Sequence, residues 1–317
     1  MGSLPIVSYG FIGLGQMGHG MAKNIRLKID PASPLVIYDV NPDAMERFIN
    51  EHPGSKVLAA SCPREVAEQA DIIMTSVPQA RHVQAVFEKE DVGLLAASKA
   101  SGQRKLYLEL STIDAQVSAR IAKRVITEGF GDFVDAPCSG GQMGAENGNL
   151  SFMVGAPDEI FPRVLEICKL MAKESSIFHC GDLGSGLKSK LLNNYLSSLT
   201  ALATAETFNI GIRGGLDARK LNEVLNASSG MNFNSKTNNP VPGLTPKNAA
   251  SNGYVGGFSL ELCLGVLELA VKAGEDLEAT MILGKPMLDA YRDAATKADF
   301  QGKDSKIIYK WLGGQDP

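Results

Sequence analysis

A basic run is missing from this chain: 31 lysines and arginines are outnumbered by 35 aspartates and glutamates, for a net charge of −4. That balance argues against nucleic acid or an anionic membrane surface as the primary partner. No apolar stretch approaches the roughly 20 residues that a membrane span needs. The N-terminal MGSLPIVSYGFIG enters a strand pattern almost at once, without a basic n-region or an Arg/Ser-rich presequence. The closing Gln-Asp-Pro is neither a retention nor a peroxisomal signal. The expected place is therefore the cytoplasm, or the mitochondrial matrix where a presequence has been removed. The five cysteines are scattered, odd in number and lack CxxC spacing, which points to a reducing compartment with buried thiols. Four histidines show neither HxxxH spacing nor a neighbouring cysteine cluster, so no metal site is expected. There is no internal repeat.

What is present is an alternation. Strand patterns over 6–12, 35–39, 56–58, 71–77, 105–110, 130–134, 150–154 and 176–180 are separated mostly by helical ones, as over 41–51, 63–70, 114–128 and 158–172. This rhythm predicts a largely parallel sheet wrapped by helices, an α/β domain of the dinucleotide-binding type over residues 1–184. From Ser185 the rhythm changes to long apolar-periodic stretches without a convincing strand, which predicts an all-α domain over 185–317, entered through a long helix. The segment from Asn232 to Gly257 reads as a loop too long to be a mere connector.

Gly13-Leu14-Gly15-Gln16-Met17-Gly18 is a GxGxxG turn that ends a predicted strand and opens a predicted helix. Gly13 permits the tight turn, Gly15 lets backbone approach a pyrophosphate, and Gly18 lets the helix pack close to the strand. Asp39 ends the second strand and can accept both adenosine ribose hydroxyls. Neither Val40 nor Asn41 supplies an arginine for a 2′-phosphate, so NAD is favoured over NADP. The strand ends at Ser76-Val77-Pro78 and Ser111-Thr112-Ile113 are further places where such a sheet holds ligands, although ordinary turn chemistry explains them equally well. Nearby His82 reads by itself as a surface helix residue.

Asp135-Ala136-Pro137-Cys138-Ser139-Gly140-Gly141 follows another strand. Consecutive Ser-Gly-Gly amides can form a nest for a carboxylate, with the Ser139 hydroxyl as an extra donor. A plain glycine turn is the competing reading, and Cys138 reads as a packing thiol. In Gly184–Asn194, GSGLKSKLLNN, two lysines stand two residues apart and so point roughly 160° away from each other on a helix. Lys190 shares a face with Asn194 one turn on, within a narrow polar stripe that also carries Asn193, Ser197, Thr200 and Thr204. Lys188 projects toward the apolar side. A lysine among amides, with no acid on its stripe before Glu206, suits a lowered pKa and general acid–base work on an alcohol or carbonyl.

These stretches together resemble the β-hydroxyacid dehydrogenase family almost end to end. GFIGLGQMGHGMAKN is similar to its dinucleotide motif, DAPCSGGQMGAENGNLSFMVG to its substrate-binding signature, and GSGLKSKLLNN to its catalytic-helix signature. NPVPG and GYVGGF are similar to the stretch before its last helix. The resemblance implies that Lys190 is the catalytic acid/base and Asn194 its partner, and that Ser139, Gly140, Gly141 and Phe258 bind substrate. It further implies that Gly13 to Gly18, Asp39, Val40, Asn41, Val77, Pro78, His82 and Thr112 contact the cofactor. The member it most resembles has asparagine where this chain has His82. After GGF the family carries a Lys-Asp-Leu run, and alignment from Phe258 puts Gly265 and Val266 at the Lys-Asp positions. The activity implied is NAD-dependent oxidation of a small 3-hydroxy acid, with 3-hydroxyisobutyrate the best-matching substrate, by a homodimer or homotetramer. The rivals are reduction of a short aldehyde acid, such as glyoxylate or succinic or tartronate semialdehyde, and an NAD-binding interaction module without catalysis.

Overall fold

The computed structural model describes residues 7–98 and 104–317; the first six residues of the N-terminal stretch read above lie outside it. In chain order the elements are β1 (Tyr9–Ile12), α1 (Gly18–Lys28), β2 (Leu35–Tyr38), α2 (Pro42–Glu51), β3 (Val57–Ala59), α3 (Pro63–Gln69), β4 (Ile72–Thr75), α4 (Ala80–Glu88), β5 (Lys105–Glu109), α5 (Ala115–Thr127) and β6 (Gly131–Asp135). There follow β7 (Cys138–Ser139), α6 (Gly141–Glu146), β8 (Leu150–Gly155), α7 (Phe161–Cys168), β9 (Ala172–Gly181) and α8 (Ser185–Arg213). The chain ends with α9 (Ala218–Ala227), α10 (Phe233–Lys236), α11 (Leu260–Asp276), α12 (Gly284–Ala295) and α13 (Ile308–Trp311).

The strands form one sheet in the order β3-β2-β1-β4-β5-β6-β8-β7, with β9 on β8. β1 to β6 pair in parallel, and β8 runs antiparallel to β6 and β7. The short apolar runs YGFI, LVIY and IIMT become strands because helices cover both faces and leave them almost wholly buried. The two-residue β7 escaped the sequence pattern, being too short to show alternation. Caps set the helix starts: the Asn41 side chain accepts from Asp43 N ahead of Pro42, and Asp114 accepts from the amides of Gln116 and Val117.

Contacts divide the chain into two compact units, Met1–Lys190 and Leu191–Pro317. The boundary falls inside α8, because its first turn packs on the sheet and buries Leu187 in the apolar cluster over one face. The second unit is helical, with a core built from residues such as Phe208, Leu267, Met287, Tyr291 and Ile308. The long segment after Asn232 is more ordered than a loop: Asn232 and Ser235 form a capping box on α10, and buried Tyr254 donates to Pro240 O. Among the described residues no helix is long and apolar enough to cross a membrane.

Candidate functional site

The strand order reverses at β1, which has β2 on one side and β4 on the other, and ligands bind such sheets outside the strand ends at that point. The glycine turn sits there. Gly13 has φ +100°, and a Cβ on it would lie 2.2 Å from Ser76 O. A Cβ on Gly18 would lie 1.7 Å from Gly13 O. Protein backbone therefore dictates both glycines. Gly15 is different: it is exposed, and a Cβ on it would meet nothing within 4 Å. Only something outside the polypeptide needs that position bare.

Asp39 reaches back over the turn. One carboxylate oxygen accepts from Leu14 N at 2.6 Å and the other from Asn41 N at 2.8 Å. Each oxygen keeps a lone pair for a further donor. Asp39, Asn41, Leu14, Gly15 and Gln16 line a cavity of about 620 Å³ that also touches His19, Arg47, Glu51, Gln142 and Glu146. Gly18, Val40 and Met17 are not on its wall; Val40 points away at 86% exposure. Residues that sequence reasoning missed are therefore His19, Arg47 and Glu51, gathered because α1 and α2 flank the same crevice. His19 Nε2 lies 2.8 Å from Glu51. An open glycine at a helix N-terminus, beside an acid held by two amides, fits a dinucleotide's pyrophosphate and ribose.

Beyond β4, the Val77 amide donates to Ser111 Oγ at 2.9 Å, and the Ser111 amide donates to Glu109 at 2.7 Å. The fully buried Glu109 also accepts from the Thr75 hydroxyl. Burial pushes the Glu109 carboxyl up to about 7. Val77 and Thr112 are thus half-buried ends of a tied pair of loops, while Pro78 is exposed. On α4, half-buried His82 has a buried Nδ1 with no hydrogen-bond partner among the described residues.

The Ser-Gly-Gly turn is tied to the dinucleotide helix. Ser139 pairs with Ser151 across β7 and β8, then Gly140 (φ +133°) and Gly141 (φ +63°) bend the chain into α6. α6 rests on α1 through Gly20, where a Cβ would stand 2.7 Å from Glu146 N. Buried Asn24 donates to Ala145 O at 2.8 Å and Glu146 O at 3.1 Å. Asn24 is a structural tie that the GMAKN motif contained without disclosing it.

Lys190 is buried, at 8% exposure, and Lys188 is exposed, so the helix turns the first lysine to solvent and the second inward. Lys188 is accordingly not on an apolar side, because at the first turn that flank of α8 meets water. Burial lowers the Lys190 pKa, with Cys138 pulling weakly the other way. Burial likewise pushes the Cys138 thiol up to about 11, which leaves it a neutral packing group. Cys138 is the neighbour of Ser139, so Lys190 stands beside the substrate-type turn within the first unit. Asn194 lies one turn on along α8 and is half-buried in the second unit. Phe258, also in that unit, is 41% exposed, with its amide held by Asp304 at 2.8 Å. On α11, Gly265 is exposed and a Cβ there would meet nothing within 4 Å.

The model of the NAD binding domain of 6-phosphogluconate dehydrogenase matches residues 8–181. The model described as the NAD-binding of NADP-dependent 3-hydroxyisobutyrate dehydrogenase matches 184–312. The chain is 38% identical to the mitochondrial 3-hydroxyisobutyrate dehydrogenase of Mus musculus over 97% of its own length and 88% of that protein's. It is 34% identical to the 3-hydroxyisobutyrate dehydrogenase of Pseudomonas aeruginosa, over 96% and 98% of the two chains. Among solved structures, the 3-hydroxyisobutyrate dehydrogenase of Mycobacterium tuberculosis with L-serine superposes with TM-score 0.84 at 30% identity, over 97% of this chain and 99% of that one.

Proposed function

The chain belongs to the β-hydroxyacid dehydrogenase family, and from that premise we propose that it oxidises 3-hydroxyisobutyrate to methylmalonate semialdehyde with NAD. When bound, NAD would supply the hydride acceptor, with Asp39 and the turn from Gly13 to Gly18 as the residues that would hold it. The Lys190 amine, whose pKa burial lowers, accepts the hydroxyl proton, and Asn194 positions that hydroxyl or the amine from one turn away. Ser139, Gly140 and Gly141 hold the substrate carboxylate through amides and the Ser139 hydroxyl, and the resemblance adds Phe258 as a substrate-binding residue. The observation that carries the reading is Lys190 itself: a buried lysine with no carboxylate bonded to it among the described residues, beside the Ser-Gly-Gly turn.

Asp39 supports NAD over NADP, because a 2′-phosphate would meet a carboxylate already fixed by two amides. Arg47 lines the same cavity, although it also faces Glu51 at 3.8 Å. The open, uncharged Gly265 favours a second reading, reduction of a short aldehyde acid in place of oxidation of a hydroxy acid. Exposed Leu192, Leu196 and Ile210 on α8 support assembly as a homodimer or homotetramer, which sedimentation checks. The function is tested by assaying C3–C5 hydroxy acids and their aldehydes with both cofactors, on the wild type and on Lys190→Ala. Turnover of 3-hydroxyisobutyrate with NAD that collapses in the variant is expected; equal kcat in the two proteins sinks the role of Lys190, and a strong NADP preference sinks that of Asp39.

A further inference from the structure

One buried charge in the first unit has no part in the chemistry described so far. Asp135 ends β6, is wholly buried, and pairs with no cation among the described residues. Its oxygens are spent instead on the chain 49 residues and more downstream: Oδ1 accepts from Gly184 N at 2.6 Å and Oδ2 from Leu187 N at 2.7 Å. These are amides at the start of α8, which otherwise lack partners and carry the positive end of the helix dipole.

The packing around this bond set is close. A Cβ on Gly155 would stand 2.4 Å from Asp135 Oδ1, and one on Gly186 would stand 2.3 Å from Met153 O and 2.9 Å from Asp135 Oδ2. Two glycines, one on β8 and one on α8, thus let the helix backbone close over the carboxylate. Leu187 is driven into the sheet's apolar cluster at the same place. Gly186 and Lys190 are four residues apart, on one face of the helix. The face pinned by Asp135 and Met153 O is therefore the face that carries Lys190, one turn or about 6 Å further on.

We propose that Asp135 is the positioning residue for Lys190: it anchors the first turn of α8 to β6 and so sets where the lysine amine stands relative to the Ser139 turn. This rests on the reading of Lys190 as the acid/base. Asp135 itself touches neither substrate nor cofactor. The device explains why a buried acid is kept at a cost in desolvation, since an apolar residue there would leave the amides of Gly184 and Leu187 bare. It also explains the glycines that meet at the clamp, Gly155 on β8 and Gly186 near the start of α8.

The test uses the full-length enzyme and counts active sites by NADH titration. In Asp135→Asn, one amide-facing oxygen becomes an NH₂ group, and the turn loosens while the side chain keeps its volume. The expected result is a kcat per NADH-binding site lower on the order of 10- to 100-fold, with KM and NADH affinity within about three-fold and a primary deuterium isotope effect on kcat that rises as the proton-coupled step becomes limiting. Gly186→Ala pushes the same turn off Met153 O without touching the acid, and is expected to show the same split should Asp135→Asn fail to fold. Lys188→Ala, on the exposed side, moves neither value. Unchanged kcat per site in Asp135→Asn, or in Gly186→Ala where the first variant yields no protein, overturns the proposal. If Lys190→Ala is inactive while these variants are not, only the positioning role falls; if Lys190→Ala keeps its kcat, both readings fall.

Discussion

Glu109 and Asp135 stand opposite each other in register at the ends of the parallel strands β5 and β6, and both carboxyls are wholly buried. Their partners differ. Glu109 is held by the Thr75 hydroxyl and the Ser111 amide, Asp135 by the amides at the start of α8. Burial raises both, Glu109 to about 7, with the Asp135 charge adding to it, and Asp135 to about 6. Asp135 therefore ionises first, and Glu109 keeps its proton through mildly acidic pH.

Glu109→Gln is expected to reverse a pH dependence of stability. Glu109 rises from about 4.5 in the open chain to about 7 in the fold, so the folded state holds the extra proton. Its contribution is fully present below pH 4.5 and is lost as pH rises through 7, a loss of up to about 3 kcal/mol. Glutamine cannot ionise and escapes that loss. Urea melts at pH 5 and pH 8 should show the variant gaining on the wild type by roughly 1–3 kcal/mol over that span. Parallel slopes for the two proteins would contradict the assignment.

The pH profile of oxidation should carry the signature of Lys190. A neutral amine accepts the proton, so kcat/KM rises with pH through the lysine's pKa and then levels. Burial puts that midpoint below the ordinary 10.5. In the reductive direction the same group must donate, and the rate falls through the same midpoint. Lys190→Arg stays protonated and should lose oxidation on the order of 10²- to 10⁴-fold, with the limb absent. A limb that persists in that variant assigns the titration to another group.

Gly13 and Gly15 should separate stability from binding. Gly13→Ala forces a Cβ against Ser76 O at positive φ and should cost about 3 kcal/mol or more of stability. Gly15→Ala meets no protein atom and should melt within about 0.5 kcal/mol of the wild type, while its Kd for NADH rises at least about ten-fold, since backbone must approach the pyrophosphate there. Calorimetry and fluorescence titration read the two effects. Full NADH affinity in Gly15→Ala would remove the phosphate from this turn.

Gly265→Lys should be tolerated and useful. A helix-interior glycine is replaced in open space, worth about 0.5–1 kcal/mol of stability. The resemblance puts a lysine there in the family, so NADH should bind several-fold more tightly, with the gain fading as salt rises. A tighter fold with unaltered NADH affinity would mean that this chain's cofactor does not approach Gly265.

Local pattern carried much of the fold. Gly13 and Gly18 were legible because a turn from strand to helix demands them whatever the rest of the chain does, and Lys190 stood out from Lys188 because helical periodicity puts only one of them in line with Asn194. Asp39 was legible as a strand-end acid. Asp135 has no role legible in its own motif, since nothing local to it announces the amides of Gly184 and Leu187, 49 and 52 residues away. Asn24, His19, Arg47 and Glu51 were silent for the same reason.

By itself, then, the order of residues determined the strand–helix alternation, the two glycine turns and the lysine–asparagine pair, all of which depend on neighbours within a turn or a strand's length. Tertiary structure alone decided which charges are buried. Sheet pairing set Glu109 against Asp135, and close approach at Gly155 and Gly186 let a helix end close over a carboxylate. Burial then lowered the pKa of one lysine while its neighbour stayed in water. Desolvation depends on everything that surrounds a group, and that is known only once the chain has folded.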